Sequence, residues 1–133
     1  MRGERFTVDT SGRVVVDVTG QVDDFAKKAG DGLVNVFVPH ATAGVAVMET
    51  GAGSEGDLEE AITRLLPRDD RYAHRHGSPG HGADHLLPAF VGPSLMVPVE
   101  DGRLVLGTWQ RIVVVDTNRE NNRREVVLTA VGT

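Results

Sequence analysis

Four of the five histidines in this chain lie between His74 and His85, and the fifth is His40. Imidazole is the commonest metal-ligating side chain and titrates near physiological pH. The 133 residues include no cysteine, so disulfides, thiolate metal sites and cysteine nucleophiles are excluded, and any metal must be held by His, Asp or Glu. His74-Arg75-His76 and His81 to His85 do not reproduce the spacing of a zincin or a zinc finger. However, His74 and His85 bracket a glycine-rich loop that can fold back and bring two neutral imidazoles onto one ion. His40, at a strand corner, is the candidate third ligand. Three histidines with an open position suit zinc or a similar divalent metal, the open place taking water or a substrate oxygen.

Two carboxylates stand near these histidines in the sequence. Glu49 ends an apolar run, Val47-Met48-Glu49, where it is either solvated or a general base or partner of the histidines. Asp57 follows Ser54 by three positions, the spacing of a capping box, which gives it a structural role beside a chemical one. In Gly107-Thr108-Trp109-Gln110 the single tryptophan is read as core, while Thr108 and Gln110 can present a hydroxyl and an amide to a ligand. Arg111, Arg119, Arg123 and Arg124 offer charge to a phosphate or carboxylate, or are simply solvated.

The surrounding pattern must position these groups. Alternation from Arg5 to Thr19 around Ser11-Gly12 predicts a hairpin. Val22, Phe25, Ala26 and Ala29 recur at helical spacing between Gly20 and Gly30, with Asp23 and Asp24 in the first turn and Lys27 and Lys28 in the last. Strands are expected at Leu33 to Val38 and Gly44 to Met48, placing His40 between them. A helix is expected from the Ser54 cap to about Leu66, stopped by Pro67. Pro67 to Asp84 reads as a long functional loop, followed by a short apolar segment, His85 to Val91. Ser94 to Val99 and Arg103 to Leu106 form an Asp-Gly hairpin, and Arg111 to Asp116 and Arg123 to Val131 complete the strands. Strands gathered at both ends of the chain, with two main helices, predict one α+β domain over residues 1–133 built on a mixed or antiparallel sheet.

Composition narrows the function classes. The chain is 40% hydrophobic and 25% charged, ordinary for a globular protein. Its net charge of −5 disfavours general binding to nucleic acid or acidic membranes, while leaving room for a local anion pocket. The start has no apolar stretch of signal-peptide length and no later run approaches a membrane span, so a cytoplasmic protein is expected.

The ordered series His40-Ala41-Thr42-Ala43, Glu49, Asp57-Leu58-Glu59, Tyr72-Ala73-His74, His85-Leu86, Gly92-Pro93-Ser94 and Gly102 through Leu106-Gly107-Thr108-Trp109-Gln110 resembles the YjbQ-like family, some members of which are described as secondary thiamine-phosphate synthases. The likeness runs from about Thr7 to Gly132. It implies a β-sandwich-like α+β fold, a homotrimer and a polar site often holding a divalent metal. By position, His40, His74 and His85 become metal or anion ligands, and Glu49, Asp57, Thr108 and Gln110 the surrounding catalytic shell. Zinc is the implied metal, with magnesium the alternative where a diphosphate is bound. Where the family usually has His-Thr-Ser this chain has His40-Ala41-Thr42, and where it has Asn-x-x-Ala-His this chain has His81-Gly82-Ala83-Asp84-His85.

The implied reaction joins hydroxymethylpyrimidine diphosphate to thiazole phosphate with loss of diphosphate. Two other readings stand beside it: metal-dependent hydrolysis of a phosphorylated metabolite, with Glu49 or Asp57 activating water, and a metal- or anion-binding module without turnover.

Overall fold

The computed structural model describes residues 2–74 and 79–132. Eight strands and three helices follow in the order β1 (Arg2–Asp9), β2 (Val15–Asp17), α1 (Thr19–Ala29), β3 (Gly32–Phe37), β4 (Ala43–Met48), α2 (Ser54–Leu65), α3 (His81–Phe90), β5 (Ser94–Glu100), β6 (Arg103–Leu104), β7 (Arg111–Asp116) and β8 (Arg123–Val131). The strands form two sheets, one ordered β1-β8-β3-β5-β6 and one ordered β2-β7-β4. All the paired neighbours are antiparallel, as the α+β expectation required.

β7 holds the layers together. Its burial alternates between two compartments: Ile112 and Val114 join the core between the sheets, and Val113 and Val115 join a second core beneath α2 and α3. A strand covered on both faces must be apolar at every position, which is why Ile112-Val113-Val114-Val115 shows no polar alternation. The inter-sheet core takes alternate residues of β3, β5 and β8, such as Val34, Val36, Val97, Val99, Val126 and Leu128. It is closed by Val22, Phe25 and Ala26 of α1, the same residues whose spacing marked that helix. The outer core takes Ile62 from α2, Leu66 just past its end, and Ala83 and Leu87 from α3. Full burial of such a side chain contributes roughly 1.5–3 kcal/mol.

Several expectations need correction. β1 and β2 do not form a hairpin: β1 pairs with β8 in the large sheet, β2 with β7 in the small one, and the Ser11-Gly12 turn carries the chain between sheets. Alternation marks a half-buried strand but does not name its partner. α1 begins at Thr19, so Asp23 and Asp24 fall beyond its first turn; Asp17 instead accepts the Thr19 N–H at 2.8 Å. Ser54 is already inside α2 and makes no cap, so Asp57 completes no capping box; the Glu55 carboxylate accepts the Gly51 N–H at 3.0 Å. The Asp101-Gly102 hairpin is as expected, with both residues at positive φ, 53° and 71°, the conformation that a tight two-residue turn demands.

The largest departure is α3. Residues read as the end of a loop and a short apolar segment form one helix, His81–Phe90, despite Gly82 and an internal Pro88. Ala83, Asp84 and Leu87 all face the interior, and that packing outweighs poor intrinsic propensity. Trp109, read as core, is 72% exposed because the Gly107 to Gln110 turn projects it beyond the start of β7. Truncating the shared strand should be felt throughout: Ile112→Ala is expected to destabilise the protein by about 2–5 kcal/mol in denaturant unfolding, with one cooperative transition retained.

Candidate functional site

Three histidines converge at the start of α3. His81 and His85 stand one helical turn apart, and His74 comes from the segment just before it. Candidate ligand atoms of the three imidazoles all lie within 4.8 Å of one another. The His74 and His81 rings stack with centroids 4.9 Å apart, and the His85 ring lies 4.2 Å from the first and 4.4 Å from the second. Tetrahedral ligation at about 2.0–2.1 Å places nitrogens about 3.4 Å apart, so only small side-chain movements separate this cluster from a metal-binding geometry.

The local sequence explains the convergence. A Cβ at Gly82 would meet the His74 carbonyl oxygen at 2.5 Å and the Tyr72 Cβ at 2.6 Å, so glycine is required for the His74 segment to cross the first turn of α3. The Tyr72 hydroxyl donates to the Pro67 carbonyl at 2.7 Å and closes the same segment from its other end. His76 lies outside the described residues.

Asp84, between the two helical histidines in sequence, is 1% exposed. Its carboxylate accepts from both terminal nitrogens of Arg68, from Thr117 Oγ1 at 2.7 Å and from Asn118 Nδ2 at 3.1 Å. This network ties α3 to the segment leaving β7. In the same turn, Glu120 places Oε1 3.8 Å from His81 Nδ1. A carboxylate there can orient an imidazole and raise its basicity toward an ion.

The residues singled out from sequence are distributed as follows. His74 and His85 come together, and the third member of their cluster is His81, not His40. His40 sits just beyond β3, and its Nε2 accepts the Glu125 N–H at 2.9 Å. With that lone pair engaged and the proton on Nδ1, the neutral ring completes the edge of a ladder. Burial, then the Arg124 guanidinium, depresses its pKa below the ordinary 6.5, against smaller opposing effects of Asp116 and Glu125. Glu49 and Gln110 extend one residue beyond the Met48–Arg111 pair of β4 and β7, so both leave the small sheet at the same end. Thr108 lies beside them in the exposed turn, where Gln110 Oε1 accepts the Gly107 N–H at 2.7 Å. Asp57, also exposed, lies in the first turn of α2, shortly after Glu49 in the chain. The length of β7, about 20 Å at strand rise, separates this end from the Asp84 network.

Arg124 departs from its expected surface role. It is 1% exposed and grips Asp116, with Nε to Oδ2 at 2.7 Å and Nη2 to Oδ1 at 2.9 Å, while Nη2 also donates to Thr42 Oγ1 at 2.7 Å. Thr10 Oγ1 donates to Asp116 Oδ2 at 2.6 Å. Arg111 pairs with Asp17 at 2.7 Å. Sequence reasoning passed over His81 as a ligand and Arg68 altogether. The available signal was the four-residue step from His81 to His85, which becomes informative once the segment is helical.

The role of His40 predicts a pH effect. Its depressed pKa means that the stabilisation is complete above pH 6.5 and lost as pH falls through the lower folded-state value. Denaturation midpoints of the wild type should therefore decline more steeply below pH 6.5 than those of His40→Gln, which keeps an acceptor but does not titrate. Parallel declines would refute the assignment.

Over residues 4–133 the chain matches the family described as UPF0047 protein YjbQ-like. A UPF0047 protein of Mycobacterium tuberculosis is 64% identical over 124 residues, 93% of each chain. One from Archaeoglobus fulgidus is 37% identical, covering 91% of this chain and 95% of its own. Among solved structures, a hypothetical protein from Aeropyrum pernix K1 superposes with a TM-score of 0.89 at 37% identity over the whole of both chains. A YbjQ-like protein of unknown function from Sulfolobus solfataricus gives 0.90 at 26% identity, covering 99% of this chain and 97% of its own. This protein belongs to the YjbQ-like UPF0047 family.

Proposed function

We propose that this protein binds a divalent metal ion through His74, His81 and His85 and acts with it on a small phosphorylated molecule. The observation that carries the reading is the convergence of three imidazoles whose ligand atoms lie within 4.8 Å of one another. An all-imidazole donor set suits zinc or a neighbouring transition metal; magnesium would require oxygen ligands. Relative to the His40, His74 and His85 set expected from sequence, His81 takes the place of His40. Such an ion supplies Lewis acidity toward a phosphate oxygen or bound water. The chain supplies orientation: Gly82 lets His74 approach, Asp84 fixes the helix that carries His81 and His85, and Glu120 faces His81.

For the reaction, we propose the family-implied coupling of hydroxymethylpyrimidine diphosphate with thiazole phosphate, in which the site would favour departure of diphosphate. The nearby Glu120 carboxylate favours a second reading, metal-assisted hydrolysis, in which it would take a proton from attacking water. Mass spectrometry of products separates the two: a joined product from two substrates, or inorganic phosphate from one. Retained metal without either product would leave a binding module. Purified wild type is expected to hold about one metal ion per chain by elemental analysis, His74→Ala, His81→Ala and His85→Ala less than about a tenth of that, and His40→Ala close to wild-type content. Full occupancy in the three cluster variants would contradict the reading.

We also propose assembly as a homotrimer. Trp109 and Phe90 are 72% and 60% exposed, apolar surface that self-association would cover. A head-to-tail ring would also set the Glu49, Thr108 and Gln110 end of one copy against a different surface of the next. Light scattering should give about three times 14.3 kDa, with Trp109→Glu shifted toward the monomer; a monomeric wild type would contradict the assembly.

A further inference from the structure

A cleft of about 290 Å³ opens beside the Arg68–Asp84 pair, where the turn after β1, helix α2 and the turn after β7 meet. Arg13, Arg68, Arg119, Asn118, Asn122 and Thr63 are among the residues lining it. We propose that this cleft is an anion site that takes the phosphoryl group of a small metabolite.

Charge is the first argument. The chain carries a net charge of −5, yet three guanidinium groups border this one cleft. The acidic neighbours are largely accounted for. Asp84 is held by Arg68, Thr117 and Asn118, and Asp116 is held by Arg124 and Thr10. Asp9, close enough to interact with Arg13, accepts from the Ser11 N–H and hydroxyl. Glu59 remains as an exposed acid at the rim. Against it stand Arg13 and Arg119, both exposed and neither in an ion pair among the described residues. Planar guanidinium forks of this kind match phosphate oxygens geometrically.

Donor supply is the second argument. Arg68 gives its two terminal nitrogens to Asp84, while its buried Nε has no hydrogen-bond partner among the described residues. That Nε lies under Gly80, out of contact with solvent, so the donors open to an anion in the cleft are those of Arg13, Arg119 and Asn122. The volume lies near the lower end of small-molecule sites and suits a compact phosphorylated compound.

Position is the third argument. Asn118 Oδ1 accepts the backbone N–H groups of Glu120 and Asn121 at 2.9 and 2.7 Å, so one ordered turn carries Arg119 on the cleft and Glu120 beside His81. An anion bound here would have its organic part within reach of the histidine cluster. Only that link to a reaction rests on the metal reading; anion binding itself does not.

Calorimetric titration of chelator-treated protein with inorganic phosphate tests the site, since no metal is then present to hold the anion. Saturable binding that weakens with added salt is expected in the wild type. The Arg13→Ala/Arg119→Ala double variant should bind at least about tenfold more weakly, given the strength of charge-assisted hydrogen bonds. Both residues are exposed, so the fold should survive, checked by circular dichroism. Arg103→Ala, on an exposed strand elsewhere, should bind as wild type does. Absence of saturable binding, unchanged affinity in the double variant, or equal weakening by Arg103→Ala would overturn the proposal. A wild type that binds phosphate but acquires no metal would overturn the metal reading alone.

Discussion

The carboxylate of Asp84 is the contact on which the placement of the histidine cluster depends. An aspartate in the first turn of a helix usually faces solvent and complements the helix dipole. Here it is turned inward and desolvated, and both oxygens accept hydrogen bonds, two from a guanidinium, one from a hydroxyl and one from an amide. Removing one member of a buried pair costs about 3–5 kcal/mol, because the other is left charged and desolvated. The consequence is positional. With Asp84 held by the segment leaving β7, the neighbouring stripe of α3 must carry His81 and His85 toward His74 on one side and Glu120 on the other.

That anchorage works because β7 is itself immobilised on both faces. Ile112 and Val114 are locked into the inter-sheet core while Val113 and Val115 support the two outer helices. At the last residue of the strand and just beyond it, Asp116, Thr117 and Asn118 fall into two adjoining polar networks, one closed by Arg124 and the other by Arg68. The apolar part of the structure thus ends in a set of paired charges, and the histidine cluster and the arginine-lined cleft are both built on that termination.

Much of the fold was legible as pattern. β7 and β8 were readable to the residue, since an uninterrupted Ile-Val run and a long alternating segment each admit few interpretations. The Asp101-Gly102 turn named its own hairpin. Pairing between distant strands was not legible, and β1 and β2 were therefore joined when they belong to different sheets. α3 was hidden by Gly82 and Pro88, residues that local propensity counts against a helix and that tertiary packing tolerates. The site was legible as a composition and less so as a geometry. His74 and His85 were identifiable, but His81 joins them only through a helical turn that the sequence obscured. Arg124 looked like a surface charge, since nothing local reveals that Asp116 and Thr42 will surround it.

The proposed three-histidine metal centre on this anchored helix is tested most directly by anomalous X-ray scattering at the zinc edge from crystals grown with zinc. A single strong peak about 2.0–2.1 Å from nitrogens of His74, His81 and His85 is the predicted result. A peak ligated by His40 without His81, or no peak at the cluster, would contradict it.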